Sequence, residues 1–257
     1  MQPLRVPPRP SIGFAVVAGY AVLVAAVQRL SGVPYPRLGD DADSLFRGAG
    51  VPLMVGAAAL AVVVSLLGWW RPVLTERALP EERRARHRWP IVAPALLGAV
   101  VLLNLAAVDW RAYSLPFLGA SVVLLLVGFT EEVAVRGVLL TALRDRLGEG
   151  WCWFVSSAVF GALHLINIVA GLPPALAVVQ GIAAFLFGTA LYVLRRTSGT
   201  LGWCMVLHAG WDFSLFALQQ GAPRAFAAAT GPLELGIGLL AVVTVRWAVA
   251  GRGRIGS

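Results

Sequence analysis

The chain has 257 residues, 58% of them hydrophobic and only 13% charged, whereas a soluble domain carries about 25% charged residues. Few charges and several apolar runs of membrane-spanning length exclude a soluble globular protein and define an integral membrane protein. The net charge of +8 does not make it a nucleic-acid binder. Every basic residue is an arginine, and the arginines gather in short stretches between the apolar runs, as the positive-inside rule distributes them.

In chain order, the runs predict an all-α membrane protein with eight spans, at about 12–28, 48–70, 90–108, 115–141, 151–170, 174–194, 200–219 and 231–249. Arg5 and Arg9 precede the first run as they would in a signal peptide. The run is long for that purpose and no small-residue cleavage site follows it, so it is expected to stay as the first helix. With both termini cytoplasmic, the inner segments hold fifteen of the 21 arginines and the outer segments five, with Arg136 inside a span. That asymmetry sets the expected orientation in the cell membrane. Trp69, Trp70, Trp89, Trp110, Trp151 and Trp203 fall near span ends, where an interfacial belt belongs.

The one long charged loop, "LTERALPEERRARHRWP" at 74–90, reads as a solvated cytoplasmic connector, with His87 part of its surface. Cys152 and Cys204 fall near the cytoplasmic ends of their spans and read as reduced packing residues.

The fourth span contains "GFTEEVAVRGVLL" (128–140). An ionisable side chain at the centre of a spanning helix costs about 2.5–3.5 kcal/mol. Glu131, Glu132, Arg136 and Asp212 would together cost on the order of 10 kcal/mol before any pairing. Residues carried at such a cost mark pathways, relays or active sites. Glu132 and Arg136 are four apart with the acid first, the better orientation for a pair within one helix, although Arg136 could instead bridge to another helix. Glu131 points about 100° away and has no partner at helical spacing.

Glu131, His164 and His208, on three helices, each lie roughly 20 Å from the nearest cytoplasmic span end, at 1.5 Å per residue. They therefore share one membrane level. His208 and Asp212, in "HAGWD", are again four apart and can act as a unit. Phe160 reads as packing and Asn167 as an interhelical hydrogen bond. Gly137, Gly161, Gly181 and Gly188 are small residues that allow helices to approach closely.

Peptide-bond hydrolysis suits such a set. A buried carboxylate can serve as base toward water, a histidine can share that water, and a second polar pair can hold the oxyanion. Two histidines and two carboxylates could equally bind Zn²⁺. There is no His-Glu-x-x-His motif, no pair of aspartates on facing helices, and no glycine-rich turn at Ser156 or Ser157.

The motifs "EEVAVR" (131–136), "FGALH" (160–164), "QGIAAFLFGTALYVL" (180–194) and "HAGWD" (208–212), in this order, resemble the CPBP family of CAAX prenyl proteases and bacteriocin-processing enzymes, also called Abi. The resemblance covers residues 115–215. It implies a catalytic core there, with N-terminal helices and a loop at 1–114 and a last helix with a basic tail at 216–257. It also implies an intramembrane endopeptidase acting on membrane-tethered peptides or proteins, with a cavity open to the cytoplasm. Residue by residue, Glu131 and His164 would activate water, His208 and Asp212 would stabilise the oxyanion, and Glu132 with Arg136 would support them. The resemblance leaves the catalysis either glutamate-dependent or metal-dependent; a zinc ion would fall to Glu131, His164, His208 and Asp212. Position 212 is often Asn in the family, and an ionised Asp there would repel an oxyanion. Asp212 is then protonated, or orients His208, or leans toward a metal.

Two other readings compete: a non-proteolytic scaffold or immunity factor that keeps the fold, and a proton-coupled transporter. The absence of paired helix breaks and of an internal repeat weighs against the transporter.

Overall fold

The computed structural model describes residues 4–79 and 89–250. Eight long helices form the body of the protein. They are α1 (Pro10–Leu30), α2 (Ala42–Leu67), α3 (Trp89–Ala107), α4 (Leu115–Leu143), α5 (Glu149–Ile168), α6 (Pro174–Ser198), α7 (Gly202–Leu218) and α8 (Ala225–Val249). All except α7 are long and apolar enough to cross a membrane on length and composition alone. With 17 residues, α7 is about 26 Å long, close to the roughly 30 Å of a hydrocarbon core. The architecture is all-α, with a helix at each of the eight expected spans and seven of them qualifying as membrane-spanning, and among the described residues no strand forms.

Alternate helices end on the same side. One end gathers the α2–α3 connection, Arg144, the start of α5, the α6–α7 turn and the end of α8. There, Gly199 closes α6 in the left-handed region at φ 75, which glycine alone adopts without a Cβ penalty. The other end gathers the α1–α2 connector, the α5–α6 turn and the α7–α8 connector, with Tyr35 N–H on the Ala170 carbonyl and Arg224 N–H on the Ala107 carbonyl.

At the centre, α4 packs against α1, α2 and α7. Every side chain from Glu132 to Leu139 is buried. A helix enclosed on all sides must be apolar around its whole circumference or pair its charges inside the protein, which is why Glu132 and Arg136 face protein rather than lipid. The same eight residues form a π-helix, a rare widened turn that recurs at functional sites. The sequence reading assumed regular α-helix here.

Three expectations need correction. Trp69 is fully buried; its indole N–H donates to the Val6 carbonyl at 2.7 Å, so it pins the N-terminal segment and does not sit in an interfacial belt. Trp89, Trp110, Trp151 and Trp203 are exposed as a belt requires.

The connector after α2 is not a solvated loop along its described part. Glu76 is buried, with Arg144 Nη1 at 2.7 Å, Arg195 Nε at 2.7 Å and Arg196 Nη1 at 3.0 Å. Arg144 also reaches Glu149 at 2.6 Å, and Arg195 donates to the carbonyls of Val73 and Pro72. His87 lies outside the described residues. Cys152 and Cys204 are both buried, as packing residues should be. The third correction, the side on which the cavity lies, belongs with the site.

Candidate active site

Small residues bring the helices together. A Cβ at position 128 would overlap the Met205 carbonyl and the Ala209 amide of α7, so only glycine allows α4 and α7 into backbone contact. Gly161 and Gly181 do the same for α5 and α6, and Gly188 leaves room for the Arg136 guanidinium. Gly128, which the sequence reading passed over, has the largest consequence. It stands three and four residues before Glu131 and Glu132, opposite the turn that carries His208 and Asp212.

The expected pair is present: Arg136 Nη1 lies 3.1 Å from Glu132 Oε1, and both side chains are fully buried. The guanidinium also stacks on Phe160, 3.8 Å from the ring centroid. Phe160 meets His164 and His208 edge-on, at centroid distances of 5.1 and 5.5 Å. It is packing, as expected, but packing that sets the position of three functional side chains.

His208 is the hub. Its Nδ1 lies 3.0 Å from Glu132 Oε1. Its Nε2 lies 3.4 Å from Asp212 Oδ2 and 3.9 Å from Glu131 Oε2. The last distance is too long for a hydrogen bond, and Glu131 Oε2 is a buried oxygen without a hydrogen-bond partner among the described residues. His164 places Nδ1 2.9 Å from the Phe160 carbonyl. A carbonyl only accepts, so Nδ1 carries the proton and a neutral His164 keeps its lone pair on Nε2.

A cavity of about 350 Å³ reaches this cluster, with Glu131, His164 and Asp212 in its wall. The Glu131 and Asp212 side chains keep 22% and 34% exposure, whereas His208 keeps 3% and stands behind them. The sequence reading brought all four residues together correctly, but His208 is a buried connector between the wall and the Glu132–Arg136 pair.

Asn167 makes the interhelical hydrogen bond expected of it, but sequence reasoning missed its partners in the polar wall. Asn167 Nδ2 donates to Gln180 Oε1 at 3.0 Å, and Gln180 Nε2 donates to the Tyr35 hydroxyl at 3.0 Å. Gln28, also in the wall, leaves Nε2 buried and without a partner among the described residues. The available signal was an amide inside an apolar run, as at 28 and 180. Tyr20 donates to Thr130 Oγ1 at 2.9 Å and ties α1 to α4 beside Glu131.

The cavity's position departs from the expectation that it opens toward the arginine-rich end of the helices. Its wall lies in the halves of the helices remote from Glu76, Arg144 and Arg195. A zinc ion does not fit this arrangement. His208 commits Nδ1 to Glu132 and turns Nε2 to Asp212, and among the described residues no three His, Cys, Asp or Glu donors gather around one point.

An all-helical membrane protein with buried, interconnected carboxylates and histidines around a cavity is the class these observations define. Residues 112–214 match the family model described as Type II CAAX prenyl endopeptidase Rce1-like, the stretch that holds all four motifs. Over that stretch the chain is similar to CAAX-type endopeptidases, and its apolar helices make it a multi-pass membrane protein. A comparison with curated proteins gave no match.

Proposed function

We propose that this protein is an intramembrane endopeptidase in which Glu131 activates water for attack on a peptide bond. The observation that carries the reading is the position of the Glu131 carboxylate, in the cavity wall with an unpaired oxygen, whereas the adjacent Glu132 is fully buried away from the cavity and shares its Oε1 between Arg136 and His208. Water between Glu131 and His164 Nε2 gives a proton to the carboxylate as its oxygen bonds to the scissile carbonyl carbon. The carbonyl oxygen takes up negative charge and accepts a hydrogen bond from His208 Nε2–H, which shifts to it from Asp212 Oδ2, 3.4 Å away in the resting site. Collapse of the tetrahedral intermediate breaks the C–N bond, and the proton held by Glu131 passes to the leaving amine.

Asp212 serves to hold the His208 imidazole rather than to contact the oxyanion. It lies one helical turn from His208 on the side opposite Glu132, so carboxylates grip the ring at both nitrogens. This orientation role removes the conflict of an aspartate where the family often has a neutral amide. The substrate is a membrane-tethered peptide or protein, and the protein sits in the cell membrane with both termini in the cytoplasm.

The test compares peptide termini in membranes carrying the wild type or Glu131→Gln at matched expression. Gln keeps the size and removes the base. Termini present with wild type and missing with the variant support the peptidase and name its substrates. Identical termini from two folded proteins overturn it in favour of a non-proteolytic scaffold.

A further inference from the structure

The cavity wall is built from one set of helix ends. Gln28 lies near the end of α1, Leu45 near the start of α2, Asn167 at the end of α5, Gln180 in the first turns of α6 and Gln219 just past α7, while the α1–α2 connector adds Tyr35. Each belongs to the end opposite the arginine-rich segments. The other end is closed: Glu76, Arg195 and Arg196 are buried there, cross-linked by ion pairs to Arg144 and Glu149.

Among the described residues, nine arginines (5, 9, 71, 77, 144, 146, 195, 196 and 246) lie at that closed end and five (29, 37, 47, 111 and 224) at the cavity end. Arginine bias over short loops is what orients a membrane protein, with the richer side cytoplasmic. We infer that the candidate active site is entered from the extracytoplasmic face, and that its substrates are peptide segments of membrane-tethered proteins exposed on that face. The second half rests on the peptidase reading; the first does not.

The wall is suited to an extended chain. Gln28 Nε2 is a buried donor without a partner among the described residues. The Tyr35 hydroxyl accepts from Gln180 and so keeps its own proton to donate. Donors placed along the cavity wall beside its apolar side chains fit the carbonyls of a peptide backbone.

The test is cysteine labelling of the full chain in intact cells with a charged, membrane-impermeant methanethiosulfonate. Wild type, whose Cys152 and Cys204 are buried, is the blank. Gln219→Cys at the mouth and Ala25→Cys in the wall are expected to label equally before and after permeabilisation. Arg146→Cys, at a 73% exposed side chain on the closed end, is expected to label only after permeabilisation. The reverse pattern, or an Ala25→Cys that labels from neither side, overturns the inference.

Because labelling needs no activity, it can succeed while the peptidase reading fails. If Glu131-dependent peptide termini exist, they must fall in extracytoplasmic segments. Termini confined to cytoplasmic segments overturn the substrate assignment even where the labelling holds.

Discussion

Removing the Arg136 guanidinium should damage the protein more than any comparable truncation. In Arg136→Met, Glu132 remains fully buried with only His208 as a partner, and Phe160 loses the cation on its face. Breaking a buried ion pair by deleting one partner costs about 3–5 kcal/mol, since the other charge is left uncompensated. In the double variant Glu132→Gln/Arg136→Met no charge is stranded, and the amide still faces His208. The double variant should therefore be more stable than Arg136→Met alone, by about 1–2 kcal/mol, a coupling of the size measured between groups in contact. Equilibrium unfolding in mixed detergent micelles measures four proteins: wild type, Glu132→Gln, Arg136→Met and the double variant. An Arg136→Met cost below about 1 kcal/mol, or a double-variant cost equal to the sum of the single costs, would refute the claim that these groups form one neutralised pair.

Three further outcomes are expected. Burial alone would push the Glu76 carboxyl up, but the guanidinium groups of Arg144 and Arg195 outweigh it and hold it down at about 2, against 4.5 ordinarily. A depressed carboxyl stabilises the folded state above its unfolded value, so stability should hold down to pH 4.5 and fall between 4.5 and 2. The loss from Glu76 should be about 3 kcal/mol, and the acid-induced loss should be smaller by about that amount in a Glu76→Gln titration. Gly128→Ala must separate α4 from α7 and should destabilise by about 1–3 kcal/mol; Gly98→Ala, whose Cβ meets nothing within 4 Å, should cost nothing in the same melt. Asp212→Asn keeps a hydrogen-bonding partner for His208 and should retain most of the Glu131-dependent cleavage, whereas Asp212→Leu should lose it.

How much of this was legible in the sequence depends on what each feature leaves in it. Spans are written in apolar length, and the Glu132–Arg136 pair and the shared level of Glu131, His164 and His208 are written in spacing. The pairing survived even though that stretch is a π-helix, because a widened turn still brings residues four apart within reach. The π-turn itself has no residue signature, and neither does the side of the membrane on which helices splay to leave a cavity. Glu76 stands in a run of charges and looks solvated; only the fold brings Arg144, Arg195 and Arg196, from distant stretches, around it. Gly128 looks like any glycine in an apolar helix until α7 lies against it. Which nitrogen of His208 faces Glu132 and which faces Asp212 depends on its neighbours in space, and spacing along the chain does not carry it.

The most direct test of the central claim is cleavage of one peptide, identified from the termini comparison, by purified protein in lipid vesicles. A general base contributes about 10²–10⁴-fold to rate, so Glu131→Gln should lose cleavage by that factor while its unfolding curve stays within error of wild type. Undiminished cleavage by Glu131→Gln would contradict the account and remove Glu131 from the chemistry.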